Sequence, residues 1–150
     1  MRKRSTKIKI LHGMNVEEMR VLVVGDSCTD KFKYGDCERI CPEAPVPVFN
    51  PREETTNGGM ARNVLANVEA LGVNCDIITN KNHIIKSRFV DMKTNQMLLR
   101  VDENDYTTEK FNREGVDLSV YHAVIISDYN KGFLTNLDIA WICRNHSNTF

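Results

Sequence analysis

Three short, mostly apolar runs recur along the chain at wide intervals. They are residues 21–24, 75–79 and 123–126, and each is followed closely by glycine or polar residues. Short apolar runs without strict alternation are typical of strands buried on both faces, as in a parallel sheet. The sequence therefore predicts three buried strands.

A helical pattern of apolar residues lies between the first two runs. Its apolar face consists of Ala61, Val64, Leu65, Val68 and Leu71. This spacing is that of one face of a helix. We expect Asn57 to cap the helix, Gly58 and Gly59 to give it a tight start, and Gly72 to end it.

Two further helices are predicted nearer the carboxyl terminus. Residues 107–115 have weak helical character. Thr135 is followed three residues later by Asp138, which resembles a capping box, and a helix is expected from Leu137 to Arg144.

Two other segments do not fit the parallel sheet. Residues 31–50 alternate loosely and contain three prolines, which cannot donate to a central strand ladder. Residues 84–90 and 97–101 are strand-like, and a turn is expected at 93–96, so they predict a hairpin. Together the flap and the hairpin predict a small second sheet.

The order of these elements indicates the fold class. Strands alternate with helices, which favours an α/β fold with a parallel sheet, right-handed crossovers and flanking helices. The chain has 150 residues, enough for one core. We expect residues 14–150 to form one unit, with the small β sheet inserted in it.

Positive charge is concentrated at the amino terminus. The first nine residues carry five basic side chains, which leaves 15 basic and 20 acidic residues for the remainder. Residues 1–13 are expected to be a solvated basic tail, and contact with an acidic partner is the alternative. The overall charge is balanced, so no nucleic-acid partner is expected.

The sequence also indicates the cellular compartment of the protein. No apolar run approaches the roughly 18 residues of a membrane span, so no membrane partner is expected. The five cysteines are an odd number at irregular spacing, which favours reduced thiols and a cytoplasmic protein. No cysteine or histidine set has zinc-ligand spacing, so no metal site is expected.

Polar clusters follow the predicted strands and the flap. They are residues 25–30, 57–63 and 127–132. Ligands of open α/β sheets bind outside the carboxyl ends of the strands, so these clusters are candidate binding residues. Turn chemistry alone would explain any one of them, and only their recurrence favours a site.

Four segments carry a resemblance to a known family. They are VVGDSCTDKFKYGDCERICPEAPVPVF (23–49), NGGMARNVLANVEALG (57–72), KSRFVDMKTNQMLLRVD (86–102) and ISDYNKGFLT (126–135). In this order they resemble the amino-terminal part of PfkB/ribokinase-family carbohydrate kinases. The element Arg-Ile-x-Pro-Glu-Ala-Pro-Val-Pro at 39–47 is most similar to that of bacterial D-glycero-beta-D-manno-heptose 7-phosphate kinases.

The resemblance implies a truncated ribokinase-like fold and roles for particular residues. Asp30 matches an aspartate that binds sugar hydroxyls, which suits a carboxylate that accepts two hydrogen bonds. Gly58 and Gly59 match the di-glycine that approaches the sugar, and Asn63 matches an asparagine that contacts it. The segments 31–50 and 84–102 match the β lid that closes over the substrate.

Four more residues are candidates for the substrate site. Lys86 and Arg88 lie on the lid, where they are candidates for pairing with a substrate phosphate; solvated strand cations are the alternative. Asp128 and Lys131 lie in the matching loop after the third strand, where a role near the substrate competes with a structural role at the start of a helix.

The match departs from the family at two places. Gly72 and Val73 run almost directly into the next strand, where family members usually insert a strand and a helix. The Gly-Ala-Gly-Asp motif that supplies the catalytic base and anion hole is absent from the sequence. The family uses ATP and magnesium, but we expect neither to bind tightly to this chain alone, and we expect no catalytic residue in it.

Two classes of function therefore remain open. The first is an ATP-dependent sugar kinase, of heptose 7-phosphate type, with only its sugar-binding half present. It would need either a carboxyl-terminal partner chain or a carboxyl-terminal half that has been lost. The second is a non-catalytic module that binds a sugar or sugar phosphate, or that forms a homodimer through the β lid. A general nucleotide-binding domain is disfavoured, because the glycine-rich phosphate motifs are missing.

Overall fold

A computed structural model describes residues 18–150, so the predicted basic tail at 1–13 lies outside the described residues. The elements are β1 (Arg20–Gly25), β2 (Ser27–Ile40), β3 (Pro47–Met60), α1 (Ala61–Ala70), β4 (Asn74–Thr79), β5 (Ile85–Asp91), β6 (Met97–Glu103), β7 (Ala123–Ser127) and α2 (Asn136–Asn145). They form two sheets.

The main sheet has the strand order β4-β1-β7, and both pairings are parallel. Its three strands are the three apolar runs, so the predicted α/β fold class is confirmed. Beyond β7, Val124 forms a parallel bridge with Thr149, which lies beside the outer edge of that strand.

The two faces of β1 meet different helices. Leu22 and Val24 are buried in one core cluster with Val124 and with Ile142 of α2. Val23 is also fully buried and points to the opposite face, because side chains alternate along a strand. Helix α1 packs against β4, β1 and β7, so the sheet is covered on both faces.

The second sheet is the predicted β lid. Its strand order is β3-β2-β5-β6; β2 and β3 pair antiparallel, β2 and β5 pair parallel, and β5 and β6 pair antiparallel. The prolines lie where they remove no central hydrogen bond, because Pro42 and Pro45 are in the link between β2 and β3, and Pro47 begins β3 on the sheet edge.

The prediction for the start of α1 is wrong. Asn57 does not cap the helix, because it pairs with Asp30 inside the lid, and Gly58 and Gly59 also belong to β3. The helix begins at Ala61, after Met60, whose φ of 57° is unusual for a residue with a side chain. The predicted end is correct, since Gly72 follows the helix with a φ of 79°.

The weak helix predicted at 107–115 is also wrong. Thr107 and Phe111 are buried, and their amides donate to the carbonyls of Lys131 (2.7 Å) and Phe133 (2.9 Å). These long-range hydrogen bonds hold the segment beside the loop that follows β7. Tertiary contacts therefore override the weak local preference.

The capping box of α2 is confirmed. The Thr135 hydroxyl accepts from the backbone N–H of Asp138, and the Asp138 carboxylate accepts from the backbone N–H of Thr135. Arg113 donates to the same carboxylate and so ties the 104–117 segment to the start of the helix. None of the helices described between residues 18 and 150 is long and apolar enough to span a bilayer.

The chain crosses from the main sheet to the lid through residues 80–84. The Asn80 side chain organises this crossing: its Oδ1 accepts from Ser27 N–H (2.7 Å) and its Nδ2 donates to the carbonyls of Ser27 (3.1 Å) and Asn82 (2.9 Å). The Glu109 carboxylate accepts from the N–H groups of Lys81 and Asn82. A short, tightly bonded crossing fixes where the lid sits on the main sheet.

Candidate functional site

An open cleft of about 440 Å³ lies where the lid meets the main sheet. The lid sheet, α1 and the loop after β7 contribute to it. Its lining residues are Cys28, Asp30, Gly59, Met60, Asn63, Lys86, Arg88, Arg100, Tyr129 and Lys131. Six of the eight substrate-site residues expected from the sequence therefore come together here.

Asp30 is held in place by two features of the lid. Its Oδ1 accepts from Arg88 Nη1 at 2.6 Å, across the parallel pair of β2 and β5. Gly59 faces it from β3, and a Cβ atom at that position would overlap the Asp30 carboxylate and the Cys28 sulfur. The absence of a side chain at Gly59 therefore makes room for the carboxylate at the cleft.

Cys28 lies beside Asp30 and is buried. Burial, reinforced by the Asp30 charge, raises the pKa of the Cys28 thiol to about 11. The side chain is therefore a neutral thiol at neutral pH, and we assign it no nucleophilic role.

Lys86 is nearly enclosed, with 7% of its side chain exposed. Its Nζ donates to Asp102 Oδ2 at 2.9 Å and to Asp105 Oδ1 at 2.6 Å. Burial alone would lower the pKa of Lys86, but the hydrogen bonds to the two carboxylates outweigh it and the pKa is raised. Lys86 is a fixed cation whose charge is already matched.

The ion pairs continue on both sides of Lys86. Arg100 binds both oxygens of Asp102, at 2.7 Å each, and hydrogen bonds from Arg100 and then from Lys86 hold the pKa of Asp102 well below its usual range. On the other side, Asp105 Oδ2 accepts from Lys131 Nζ at 2.6 Å. Lys131 and then Lys86 lower the pKa of Asp105. The network joins the lid to the loop after β7.

Asp26 organises that loop from the end of β1. It is fully buried, and its carboxylate accepts from the backbone N–H groups of Tyr129 (2.8 Å), Lys131 (3.1 Å) and Phe133 (3.2 Å). Its own carbonyl accepts from Ala61 N–H at 2.9 Å, at the start of α1. One side chain therefore fixes the backbone that presents Tyr129 and Lys131 to the cleft.

Two expected site residues do not line the cleft. Gly58 pairs with Thr29 and is exposed, next to the Arg62 side chain. Asp128 is exposed, and its carboxylate accepts from Asn130 N–H at 2.8 Å within its own turn. The loop geometry therefore favours the structural alternative for Asp128.

Four residues of the cleft were not singled out individually from the sequence, although three of them lie within the predicted polar clusters: Cys28, Met60, Arg100 and Tyr129. A signal for Arg100 was present, because the predicted hairpin places it opposite Arg88. Two like charges directly opposite each other across antiparallel strands are destabilising unless acids lie nearby, and here Asp30 and Asp102 compensate. Met60 had no such signal, since its positive φ cannot be read from the residue type.

The acidic residues of the cleft do not form a metal centre. Among residues 18–150 no three His, Cys, Asp or Glu side chains are grouped so that they could hold a metal ion. The carboxylates of Asp30, Asp102 and Asp105 face basic side chains. This donor set does not fit magnesium, and we assign no residue of the described chain to magnesium or to ATP.

A parallel α/β sheet joined to a β lid, with a polar cleft beside the lid, is the arrangement that the motifs predicted, and the chain's relatives by sequence agree with its resemblance to carbohydrate kinases. Its relatives by sequence include the bifunctional protein HldE of Wolinella succinogenes, 34% identical over 149 residues, and that of Coxiella burnetii (strain RSA 493), 32% identical over 153 residues. No protein-family model matches the chain.

These matches cover most of this chain but a minor part of each relative. They include 77% and 81% of this chain and 31% and 32% of the respective HldE proteins, so the chain spans about a third of the length of the curated relatives.

Two solved structures with similar folds are ribokinases. The enzyme from Thermotoga maritima has a TM-score of 0.38 and 16% identity, over 71% of this chain and 44% of the enzyme. The ribokinase of Cryptococcus neoformans, solved with ADP, has a TM-score of 0.41 and 13% identity, over 74% and 42%.

Proposed function

We propose that this chain supplies the sugar-binding part of an ATP-dependent carbohydrate kinase, and that its ligand is a phosphorylated sugar, with heptose 7-phosphate the first candidate. The observation that carries the proposal is the convergence of Asp30, Gly59 and Asn63 with four basic side chains in one cleft. Carboxylate and amide groups suit sugar hydroxyls, and basic groups suit a phosphate. The free thiols of the cysteines favour a cytoplasmic location.

Within this proposal each part of the cleft has a separate task. Asp30, oriented by Arg88, accepts hydrogen bonds from two sugar hydroxyls, and Asn63 contributes an amide from the first turn of α1. The lid covers the sugar and excludes water. ATP supplies the phosphoryl group, and the groups that bind ATP and magnesium come from another segment or from a partner chain.

The test is a calorimetric titration of the chain with heptose 7-phosphate and a panel of other sugar phosphates. We expect saturable binding, and Asp30→Ala is expected to weaken it by about ten- to a hundredfold, because a charge-assisted hydrogen-bond acceptor is lost. Asp36→Ala is the matched control, since Asp36 also lies on β2 and pairs with an arginine, Arg52, at 2.6 Å. The control is expected to bind normally. A folded wild-type chain that binds no sugar phosphate would refute the proposal.

A second candidate function is dimerisation through the lid, favoured by one specific observation. All seven residues of β6 are exposed, including Met97, Leu98, Leu99 and Val101, and the strand is at the edge of its sheet. An exposed apolar edge strand favours pairing with another chain. The partner that we propose is a second copy of this chain.

Leu99→Lys is the test of that candidate. We expect the wild-type chain to sediment as a dimer at micromolar concentration and the variant to sediment as a monomer, because a charge would be buried at the interface. Leu71→Lys is the control, since Leu71 is 74% exposed at the end of α1, away from the lid. A monomeric wild-type chain, or a dimer that Leu99→Lys leaves intact, would exclude dimerisation through β6.

A further inference from the structure

The basic side chains of the cleft are all matched by carboxylates. Arg88 pairs with Asp30, Arg100 with Asp102, Lys131 with Asp105, and Lys86 with both Asp102 and Asp105. A phosphate that enters the cleft must therefore compete with a carboxylate for whichever cation it binds. The question is which of these pairs can exchange.

Asp105 is the acid that holds two cations at once. Its Oδ1 binds Lys86 of the lid and its Oδ2 binds Lys131 of the loop after β7, both at 2.6 Å. It lies just after β6, on the chain that returns from the lid to the main sheet. Its side chain is 38% exposed, whereas Lys86 is 7% exposed. Asp105 is therefore open to solvent, and the lysine behind it is not.

The two lysines differ in what they would lose if Asp105 moved away. Lys86 would keep Asp102 at 2.9 Å, so no buried cation would be left unpaired. Lys131 has no second carboxylate within ion-pair distance among residues 18–150. Its backbone would stay in place, because its N–H is held by Asp26. Of the two lysines that Asp105 holds, Lys131 is thus the one that an external anion can take over with less rearrangement.

We propose that Asp105 is an internal counter-ion that occupies the position of a ligand's phosphate, and that a phosphorylated sugar binds by displacing it from Lys131. Asp105 then determines specificity: it neutralises Lys131 in the free protein, and only an anion that outcompetes it gains that contact. A neutral sugar would leave the pair intact. This inference rests on the proposed function for the sugar, but the phosphate exchange itself can be measured without one.

The experiment uses the full 150-residue chain and inorganic phosphate at constant ionic strength. Asp105→Asn is expected to tighten phosphate binding roughly five- to tenfold, because one competing charge is removed next to Lys131. Asp36→Asn makes the same charge change at a different ion pair of the lid, the one between Asp36 and Arg52. It is expected to change phosphate affinity less than about twofold. Lys131→Met is expected to abolish the binding. Unchanged or weaker phosphate binding by folded Asp105→Asn would overturn the proposal.

A measurement on the wild-type chain covers the case in which Asp105→Asn does not fold. The lysine side-chain methylene resonances nearest Nζ are followed by NMR during the phosphate titration. We expect the Lys131 signal to shift more than the Lys86 signal. Movement of Lys86 alone, or of neither lysine, would overturn the proposal.

A pair of sugars separates this proposal from the proposed function. D-Mannose and D-mannose 6-phosphate serve as neutral and anionic probes, and Asp105→Asn is expected to tighten only the second. If neither sugar binds but inorganic phosphate still exchanges at Lys131, the sugar-binding function fails and the counter-ion role stands. If Asp105→Asn weakens both sugars equally, Asp105 only joins the lid to the sheet, and the counter-ion role fails.

Discussion

Asp26→Ala is expected to lower the free energy of unfolding by about 4 kcal/mol, because hydrogen bonds to a buried charged group are strong and their loss leaves buried donors without partners. The carboxylate accepts from three backbone N–H groups of the loop after β7, and it is fully buried. A change of this size is a large fraction of the stability of an ordinary domain, about 5–15 kcal/mol. Urea unfolding followed by circular dichroism measures it.

Asp128→Ala is the matched control for that prediction. Asp128 is an exposed aspartate of the same loop, and its carboxylate accepts from one backbone N–H, that of Asn130. Its removal is expected to cost about 1 kcal/mol or less. Equal losses in the two variants would show that the buried carboxylate does not organise the loop.

Gly59→Ala is expected to damage stability and sugar binding together. The new Cβ would overlap the Asp30 carboxylate and the Cys28 sulfur, so β2 and β3 would have to separate locally. Overpacking of this kind costs about 2–3 kcal/mol of folding free energy. Displacement of Asp30 from its position beside Arg88 is expected to weaken sugar-phosphate binding by more than about thirtyfold. Thermal unfolding and calorimetric titration measure the two effects.

Gly35→Ala distinguishes the local effect of Gly59→Ala from general loss of stability. Gly35 lies in β2 of the same hairpin, and a Cβ there would overlap the Asn50 carbonyl and the Phe49 ring, away from the cleft. We expect a similar loss of stability with sugar affinity changed less than about threefold. If both glycine variants lose affinity alike, the cleft is sensitive to lid stability and not to the space beside Asp30.

The main sheet could be predicted from the sequence because its signal is local and simple. Residues 21–24 and 123–126 are apolar throughout, as burial on both faces of a parallel strand requires. The separate lid sheet was also predictable, since prolines excluded 31–50 from a central ladder. The clustering of six site residues in one cleft followed from the resemblance, since four of them lie on lid strands and not at the edge of the parallel sheet.

The errors arose where one sequence pattern fits two structures. Asn57 with Gly58 and Gly59 is a good helix start, but it is equally the end of a strand that must approach Asp30 closely. The partners of Lys86 were hidden for another reason. Its ion pairs reach Asp105, 19 residues away along the chain, and nothing in the local sequence shows that a lysine on a strand is already matched. The structural role of Asp26 depends in the same way on a distant loop.

The parallel pairing of β2 with β5 joins two hairpins that come from separate stretches of the chain. The β2–β3 hairpin carries Asp30 and Gly59, whereas the β5–β6 hairpin carries Lys86, Arg88 and Arg100. The groups suited to hydroxyls thus lie on one hairpin, and most of the groups suited to an anion lie on the other. Substitutions within residues 85–103 can therefore change the charge of the cleft without altering Asp30 or Gly59. The anion preference of the cleft can change in this way while its hydroxyl-binding side stays the same.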